Sequence, residues 1–481
     1  MPQPAPPESP RYQQIYRQLR EQILAGHYPA GTRLPPTRKL AQQLGVARIT
    51  VSQAYAQLQL EGYLVTRPGA GTYVSPLLAA TPAPDQPVQP ALSGWGQRVV
   101  AHTHEPERPA GPPPSAGLID FGFGRSFPHI FPYDVWRHLL ARYLSTDDVM
   151  LSRYGSVAGF MPLRAAVAEY LARLRGVHCT AEQVIIVNGA QQALDILARL
   201  LLDPGDRVLV ETPGYTDAYA LFAVHGALLQ PYPVDEHGFP VETIPAGATA
   251  RLLFVTPANQ FPRGGTLPLA RRLALLRWAE AANALIIEDD YDGELRYEGR
   301  PVGALQGLDK TGRVIYLGTF SKVLFPALRL GYVVLPPALV APFIRAKQVI
   351  DRGAPTLTQA AVADFITEGH FERHLRHLRH AYGQRRQQLV CALQERLPAG
   401  ARFSPEPAGL HIMLYLPPGR DEAEVIRRAA EAGVRVYPGA AYHLEQPAPP
   451  AILLGFSGLS ETEIEEGLRR LAVAVGDGVS G

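Results

Sequence analysis

The chain has 481 residues, too many for one ordinary core and about right for three domains. Its 46% hydrophobic fraction is that of a globular protein, no apolar run approaches the ~18 residues a membrane span needs, and two distant cysteines, Cys179 and Cys391, make neither a disulfide framework nor a zinc site. The net charge of +2 is unevenly spread: residues 1–80 hold eight basic side chains against three acidic ones, a net +5, and the remainder carries −3, which suits a polyanion partner for the head alone.

The opening MPQPAPPESP lacks the apolar segment of a leader, so a cytosolic protein with no metal and no membrane contact is expected. From Pro10 onward Ile15, Leu19 and Ile23 recur every four residues, the stripe of a helix that Gly26 and Pro29 end. Thr37 then reads as the N-cap of a short helix, RKLAQQL, burying Leu40, Ala41 and Leu44 and stopping at Gly45. A second helix, residues 48–61, buries Val51, Ala54, Tyr55 and Leu58 and leaves Arg48, Thr50, Ser52, Gln53 and Gln57 on its other face. Two helices about a Gly-containing turn make a helix-turn-helix. Residues 63–66 and 72–75 read as strands joined through Arg67-Pro68-Gly69-Ala70-Gly71, a wing whose glycines permit close approach to a groove. Pattern alone leaves DNA binding and protein interaction both open.

Residues 12–75 closely resemble the GntR-type winged helix, carrying its GxxLPxxRxLAxxLGVxRxTVxxAYxxLxxEGYLxxRPGxGTYV layout almost intact. The resemblance implies that Arg38 and Arg48 meet the major groove of double-stranded operator DNA, that Thr50 binds a phosphate and that Gly71 lies at the minor groove. Arg33, Thr37, Ser52, Gln53 and Arg67 complete the expected DNA-contacting set. Ala47 and Ile49 stand where serine and asparagine are common, a departure that bears on base preference.

Residues 76–117 are rich in Pro, Ala and Gln with little periodicity and read as an extended spacer, although an arm packed on the body around Trp95 is the alternative for part of it. Beyond Asp120, buried-strand runs alternate with amphipathic helices, the pattern of an α/β domain with a mainly parallel sheet. The expected strands are residues 184–187, 207–210, 252–255, 285–287, 314–316 and 331–334. Asn188-Gly189-Ala190-Gln191 follows the first of them and opens a helix whose free N–H groups suit a phosphate. Asp289 follows LIIE, where a strand delivers a carboxylate to a pocket or a helix receives a cap. In GTFSKVLFPALRLGY, residues 318–332, Thr319, Ser321 and Arg329 supply phosphate-binding groups around Lys322. Of 46 basic residues only Lys39, Lys310, Lys322 and Lys347 are lysine, and arginine cannot form a Schiff base. Pyridoxal phosphate carries both the aldehyde and the phosphate that this stretch suits.

Over residues 118–475 the chain resembles fold-type I aminotransferases, specifically the aminotransferase-like domain of MocR/GabR-type regulators. The motifs are YGSVAGFMPLR, NGAQQAL, ETPGY, EDDYDGELRY, GTFSKVLFPALRLGY and AGLHIML. The resemblance implies a multidomain chain: an α-rich winged helix-turn-helix head (10–75), a Pro-rich linker (76–117) and an α/β body (118–475) with a smaller C-terminal α+β subdomain. It implies pyridoxal 5'-phosphate as cofactor, with Lys322 as the Schiff-base lysine and catalytic residue of the family. Asp289 would be the partner of the pyridine nitrogen, Tyr291 that of the ring hydroxyl, and Tyr215 would stack on the ring. Gly189, Ala190, Gln191, Ser321 and Arg329 would hold the phosphate, Tyr154 reaching it from the other subunit of a homodimer. Asn259, in TPANQFPRGG, is a further expected cofactor contact, although the family more often has His before that Gln. Leu453 stands where many aminotransferases carry the arginine that clamps a substrate carboxylate, a contact a neutral side chain cannot replace. Three functions follow: a regulator that binds operator DNA and senses the cofactor or a small amine or amino acid joined to it, a working aminotransferase with an added head, or a protein-interaction head on an inactive body.

Overall fold

The structure, a computed structural model, describes residues 10–80, 91–103, 117–125, 129–144, 152–398, 400–403 and 407–476. The chain folds as two units, one within residues 1–91 and the other within residues 92–481. In the first, α1 (Arg11–Leu24) buries Ile15, Leu19 and Ile23 as its four-residue repeat requires. The second helix, α2 (Thr37–Leu44), ends at Gly45, whose φ of +63° is the left-handed turn that glycine accepts without strain. Thr37 is its first helical residue and not its cap: Pro36, with φ −56°, occupies that position and no side chain caps the helix. Leu44, expected inside, is 37% exposed.

The third helix, α3 (Arg48–Leu60), buries Val51, Ala54, Tyr55 and Leu58. Strands β1 (Leu64–Arg67) and β2 (Gly71–Val74) form the hairpin with Arg67 opposite Gly71, shifted by one residue at each strand from the expected spans. Arg33 bridges to Tyr73 and so adds a third edge contact. Leu34, Leu58, Leu64 and Val74 close the small core.

The second unit begins before the α/β pattern does. Within the stretch read as spacer, Gly94–His102 is a helix capped by Ser93, whose Oγ accepts from the Gly96 N–H. Arg98 donates to the Val224 carbonyl at 2.7 Å, and Trp95 lies 6.5 Å from the His225 ring and beneath the Arg199 guanidinium at 5.7 Å. Residues 81–90 and 104–116 of the spacer lie outside the described residues.

After β3 (Ile119–Asp120) come the strands of the main sheet: β4 (Val184–Val187), β5 (Arg207–Thr212), β6 (Leu228–Pro233), β7 (Leu252–Val255), β8 (Leu285–Asp290), β9 (Val314–Thr319) and β10 (Gly331–Val334). Their order is β4-β10-β9-β8-β7-β5-β6. All neighbours are parallel except at β10, which runs against both β4 and β9. The inner strands are apolar runs buried on both faces, because helices cover both sides of the sheet. β6, LLQPYP, lies outside the expected set of strands. Its Pro231 and Pro233 cannot donate to a ladder and are tolerated because it is the edge strand, paired only with β5.

The smaller C-terminal part adds β11 (Arg402–Phe403), β12 (His411–Tyr415), β13 (Val434–Arg435), β14 (Tyr437–Pro438) and β15 (Ala451–Gly455). Four of these make an antiparallel sheet, β11-β12-β15-β14, while β13 pairs in parallel with β3. The long helix His370–Arg396 and the helix Glu461–Gly476 pack beside this part, sharing one core with Phe121, Leu410, Ile412 and Leu454. Among the described residues no helix is long and apolar enough to cross a membrane.

Candidate functional site

Five main-sheet strands, β4, β5, β7, β8 and β9, deliver their C-terminal ends to one edge, where open α/β sheets bind ligands. β10 starts from the same edge between β4 and β9, with Gly331 opposite both Val187 and Thr319. A Cβ at Gly331 would come within 2.9 Å of the Gly318 carbonyl and 3.3 Å of the Gly189 α-carbon, so glycine lets the two turns close over the strand end. The loop from Thr319 folds back on itself: the Phe320 N–H donates to the Leu330 carbonyl, and Phe320, Val323 and Leu324 are buried. This brings Arg329, seven residues on, to the same cleft as Lys322.

The cleft is lined by Lys322, Gly189, Ala190, Gln191, Tyr215, Asp289, Tyr291, Thr319, Ser321 and Arg329, ten of the twelve residues expected to hold the cofactor. Asn259 stands behind it. Its Nδ2 donates to the Tyr291 hydroxyl at 3.1 Å and to Asp292 at 2.8 Å, so it reaches the cleft through Tyr291. Tyr154 is not in the lining and is 88% exposed. Sequence reasoning missed three lining residues, Phe123, Thr256 and Phe261. Phe123 lies in a segment remote in sequence from Lys322, and no motif marks it. Lys322 Nζ sits 4.4 Å from the centre of its ring.

Burial pushes the Lys322 ammonium below the ordinary lysine value, the fields of Asp292 and Asp289 opposing that shift and Arg329 adding to it. The Asp289 carboxyl is pushed up to about 7, first by burial and then by the charge of Asp290, with Lys322 pulling it down. Burial also raises the Tyr291 and Tyr215 phenols. At the other end, Gly189, with φ +94°, precedes the helix Ala190–Leu201, and Arg329 donates to the Asn188 carbonyl at 3.2 Å. The Ser321 N–H donates to Thr319 Oγ1 at 3.1 Å, and Gln191 Nε2 to the Asp217 carbonyl. Free helix N–H groups, two hydroxyls and a guanidinium make an anion cradle.

Asp289 is held by what lies behind it. Asp290, on the opposite face of β8, accepts from Arg175 through both oxygens at 2.8 and 3.0 Å and from the Tyr316 hydroxyl at 2.5 Å. Glu288 accepts from the Leu305 and Gln306 N–H groups.

In the head, Arg33, Arg38, Arg48, Gln53 and Arg67 are exposed, and Thr37, Thr50, Ser52 and Gly71 are half-buried. Arg48 Nε lies 3.4 Å from Thr37 Oγ1, joining the N-termini of α2 and α3. In the wing Arg67 stacks 4.6 Å over Tyr73. Gly71 has φ +115°, and a Cβ there would meet Arg33 Nε at 2.8 Å. These four arginines are half of the eight basic residues in the first 80.

Comparison with known proteins covers both units. Residues 11–74 match the family model "Bacterial regulatory proteins, gntR family" and residues 122–471 match "Aminotransferase class I and II". Over 97% of its length the chain is 41% identical to the probable rhizopine catabolism regulatory protein MocR of Rhizobium meliloti, covering 94% of that protein. It is 32% identical to the HTH-type transcriptional regulator TauR of Rhodobacter capsulatus, with 96% of each chain covered. Among solved structures, the kynurenine aminotransferase of Pyrococcus horikoshii, in complex with PMP, superposes with a TM-score of 0.72 at 32% identity, covering 76% of this chain and 93% of that one.

Proposed function

Because the chain belongs to the family of MocR-type regulatory proteins, a gntR-family head followed by an aminotransferase class I and II body, we propose that it is a transcription regulator. Its head binds operator DNA, and its body responds to pyridoxal 5'-phosphate (PLP), alone or joined to a small amine. The observation that carries this reading is the cleft around Lys322, one of four lysines in the chain, between a buried carboxylate and an anion cradle.

The donor set fits PLP. At Gly189 a Cβ would stand 3.2 Å from the Arg329 guanidinium, so only glycine keeps that cradle open for a phosphate between helix N-terminus and arginine. When bound, PLP supplies an aldehyde that forms a Schiff base with an amine and a pyridine ring that draws electrons from it. Lys322 supplies that amine, and its lowered pKa increases the neutral, nucleophilic fraction near pH 7. Asp289, its carboxyl pushed up to about 7 by burial, would be stabilised as a carboxylate by a protonated ring nitrogen. Tyr291, oriented by Asn259, would hold the ring hydroxyl, and Tyr215 would pack on the ring. Thr319, Ser321, Arg329 and the N–H groups at Gly189, Ala190 and Gln191 would hold the phosphate. Tyr154, so largely exposed, serves the cleft of a second copy in a homodimer.

In the head, Arg38 and Arg48 enter the major groove and Gly71 approaches the minor groove, with Thr50 on phosphate. Regulation is favoured over turnover by Leu453, fully buried in β15 where a substrate-clamping arginine is common. The protein acts in the cytoplasm.

The test is reciprocal titration of the full-length protein, using a duplex that it selects from random sequence. DNA affinity is measured for cofactor-free and PLP-loaded protein, and PLP affinity with and without saturating DNA. Coupling of about 1–3 kcal/mol, roughly 5- to 150-fold, is expected, and linkage makes the two ratios equal. Ratios of one for PLP, and for PLP with added amines, would sink the regulator in favour of the enzyme. Lys322→Ala should abolish borohydride-fixable PLP, and persistence of that adduct would assign the chemistry to another lysine.

A further inference from the structure

The cleft lining divides by chemistry. The proposed cofactor set contains every charged residue in it, namely Lys322, Asp289 and Arg329. The three remaining lining residues, Phe123, Thr256 and Phe261, carry no charge.

Phe123 and Phe261 are part of a continuous apolar wall. Their rings are 5.2 Å apart, and Phe123 meets His411 edge-on at 4.8 Å while Phe261 meets Tyr442 at 5.3 Å. Behind Phe123 lie Met413 and Leu453, paired across β12 and β15 and fully buried. His411 adds no charge. Its Nε2 lies 2.9 Å from the Pro262 carbonyl and so carries the proton, its Nδ1 has no partner among the described residues, and burial pushes its pKa down to about 4. Arg125, two residues from Phe123, is drawn to Asp120 at 2.7 Å, a carboxylate that Tyr437 and Arg435 also approach, and Arg263, two residues from Phe261, donates to the Val234 carbonyl at 2.9 Å. A carboxylate entering beside Phe123 would lose water and meet the aromatic edges of Phe123 and Phe261, with a neutral imidazole and leucine behind them and no cation in that wall.

We infer that the ligand the body reads at Lys322 is a primary amine bearing an apolar or aromatic group and no carboxylate. The inference rests on the reading of the cleft as a PLP site. Phe123 and Phe261 are then specificity-determining residues, and Leu453 sets the preference by what it lacks.

The experiment titrates PLP-loaded full-length protein with 2-phenylethylamine, L-phenylalanine and 4-aminobutyrate, reading the shift in cofactor absorbance. Half-saturation by 2-phenylethylamine should fall at least about tenfold below that of either carboxylate. Equal or tighter binding of L-phenylalanine or 4-aminobutyrate overturns the inference and leaves the PLP site standing. Phe123→Ala should weaken 2-phenylethylamine by about tenfold and 4-aminobutyrate by less than about threefold, and equal losses also overturn it. Should Phe123→Ala not retain PLP, Phe261→Leu is held to the same criterion. A wild-type protein that takes up no lysine-linked PLP overturns the site itself, and the inference with it.

Discussion

Arg175→Met removes the cation that neutralises the strand end behind Asp289. Arg175 closes the helix Met161–Arg175 and is 1% exposed. Its guanidinium satisfies both oxygens of Asp290 and also donates to the carbonyls of Gly293 at 3.0 Å and Val302 at 2.5 Å. Methionine fills much of the volume but leaves Asp290 buried against the Tyr316 hydroxyl, without its cation, and strips two carbonyls of their donor. Breaking a buried pair from one side costs about 3–5 kcal/mol. With a urea m-value of about 3 kcal/mol/M, the unfolding midpoint of the body should fall by about 1–1.7 M. Tryptophan fluorescence follows the transition. Arg175→Met/Asp290→Leu removes both charges and should recover at least half of the loss, because the unpaired carboxylate, more than the missing contacts, carries the penalty. A loss below about 1 kcal/mol for the single variant, or a double variant equal to the sum of its singles, would refute the reasoning.

Arg48→Ala should cost about 1–3 kcal/mol on the selected duplex and relax preference at one base if Arg48 reads a guanine, and equal losses on selected and random DNA would make it a phosphate contact. His411 gives a pH signature. Its folded pKa is depressed from 6.5 to about 4, so its contribution is full above 6.5 and is lost as pH falls from there through 4, about 3 kcal/mol in all. Glu211 and Glu288, raised to about 7 by burial, work in the opposite sense: their contribution is full below the ordinary carboxylate value and lost as pH rises through 7. Comparing wild type with His411→Phe across pH 4–7 isolates the histidine, and parallel stability curves would reject this assignment.

The main sheet was legible wherever a strand is buried on both faces, as in VIIV at β4 and LLFV at β7, because such runs admit little else between turn residues. β6 was hidden by its prolines, which are harmless only at an edge that sequence does not reveal. The helix Gly94–His102 was hidden by its Pro- and Gln-rich surroundings, although Trp95 marked the place. In the cleft, residues that carry unusual chemistry for their setting were readable: a rare lysine, a carboxylate ending an apolar strand, a Gly before a helix. Phe123, Thr256 and Phe261 were not, since their role is set by what folds beside them. Thr37 reads as a cap by residue type, yet Pro36 has the fixed φ that the turn demands.

The strand end at Glu288–Asp289–Asp290–Tyr291 works as a two-letter phase. Even positions face backbone N–H groups and Arg175, and odd positions face the cleft. Each substitution there damages one partner, but inserting a single residue upstream exchanges the faces, turning Asp290 into the cleft and Asp289 onto Arg175, and a deletion exchanges them the other way, placing Asp289 at the Leu305 and Gln306 N–H groups. A change of length is therefore more disruptive here than a replacement. One made upstream in β8 shifts this phase, whereas one made in the loop at residues 296–303, beyond the buried carboxylate of Glu294, leaves it in place.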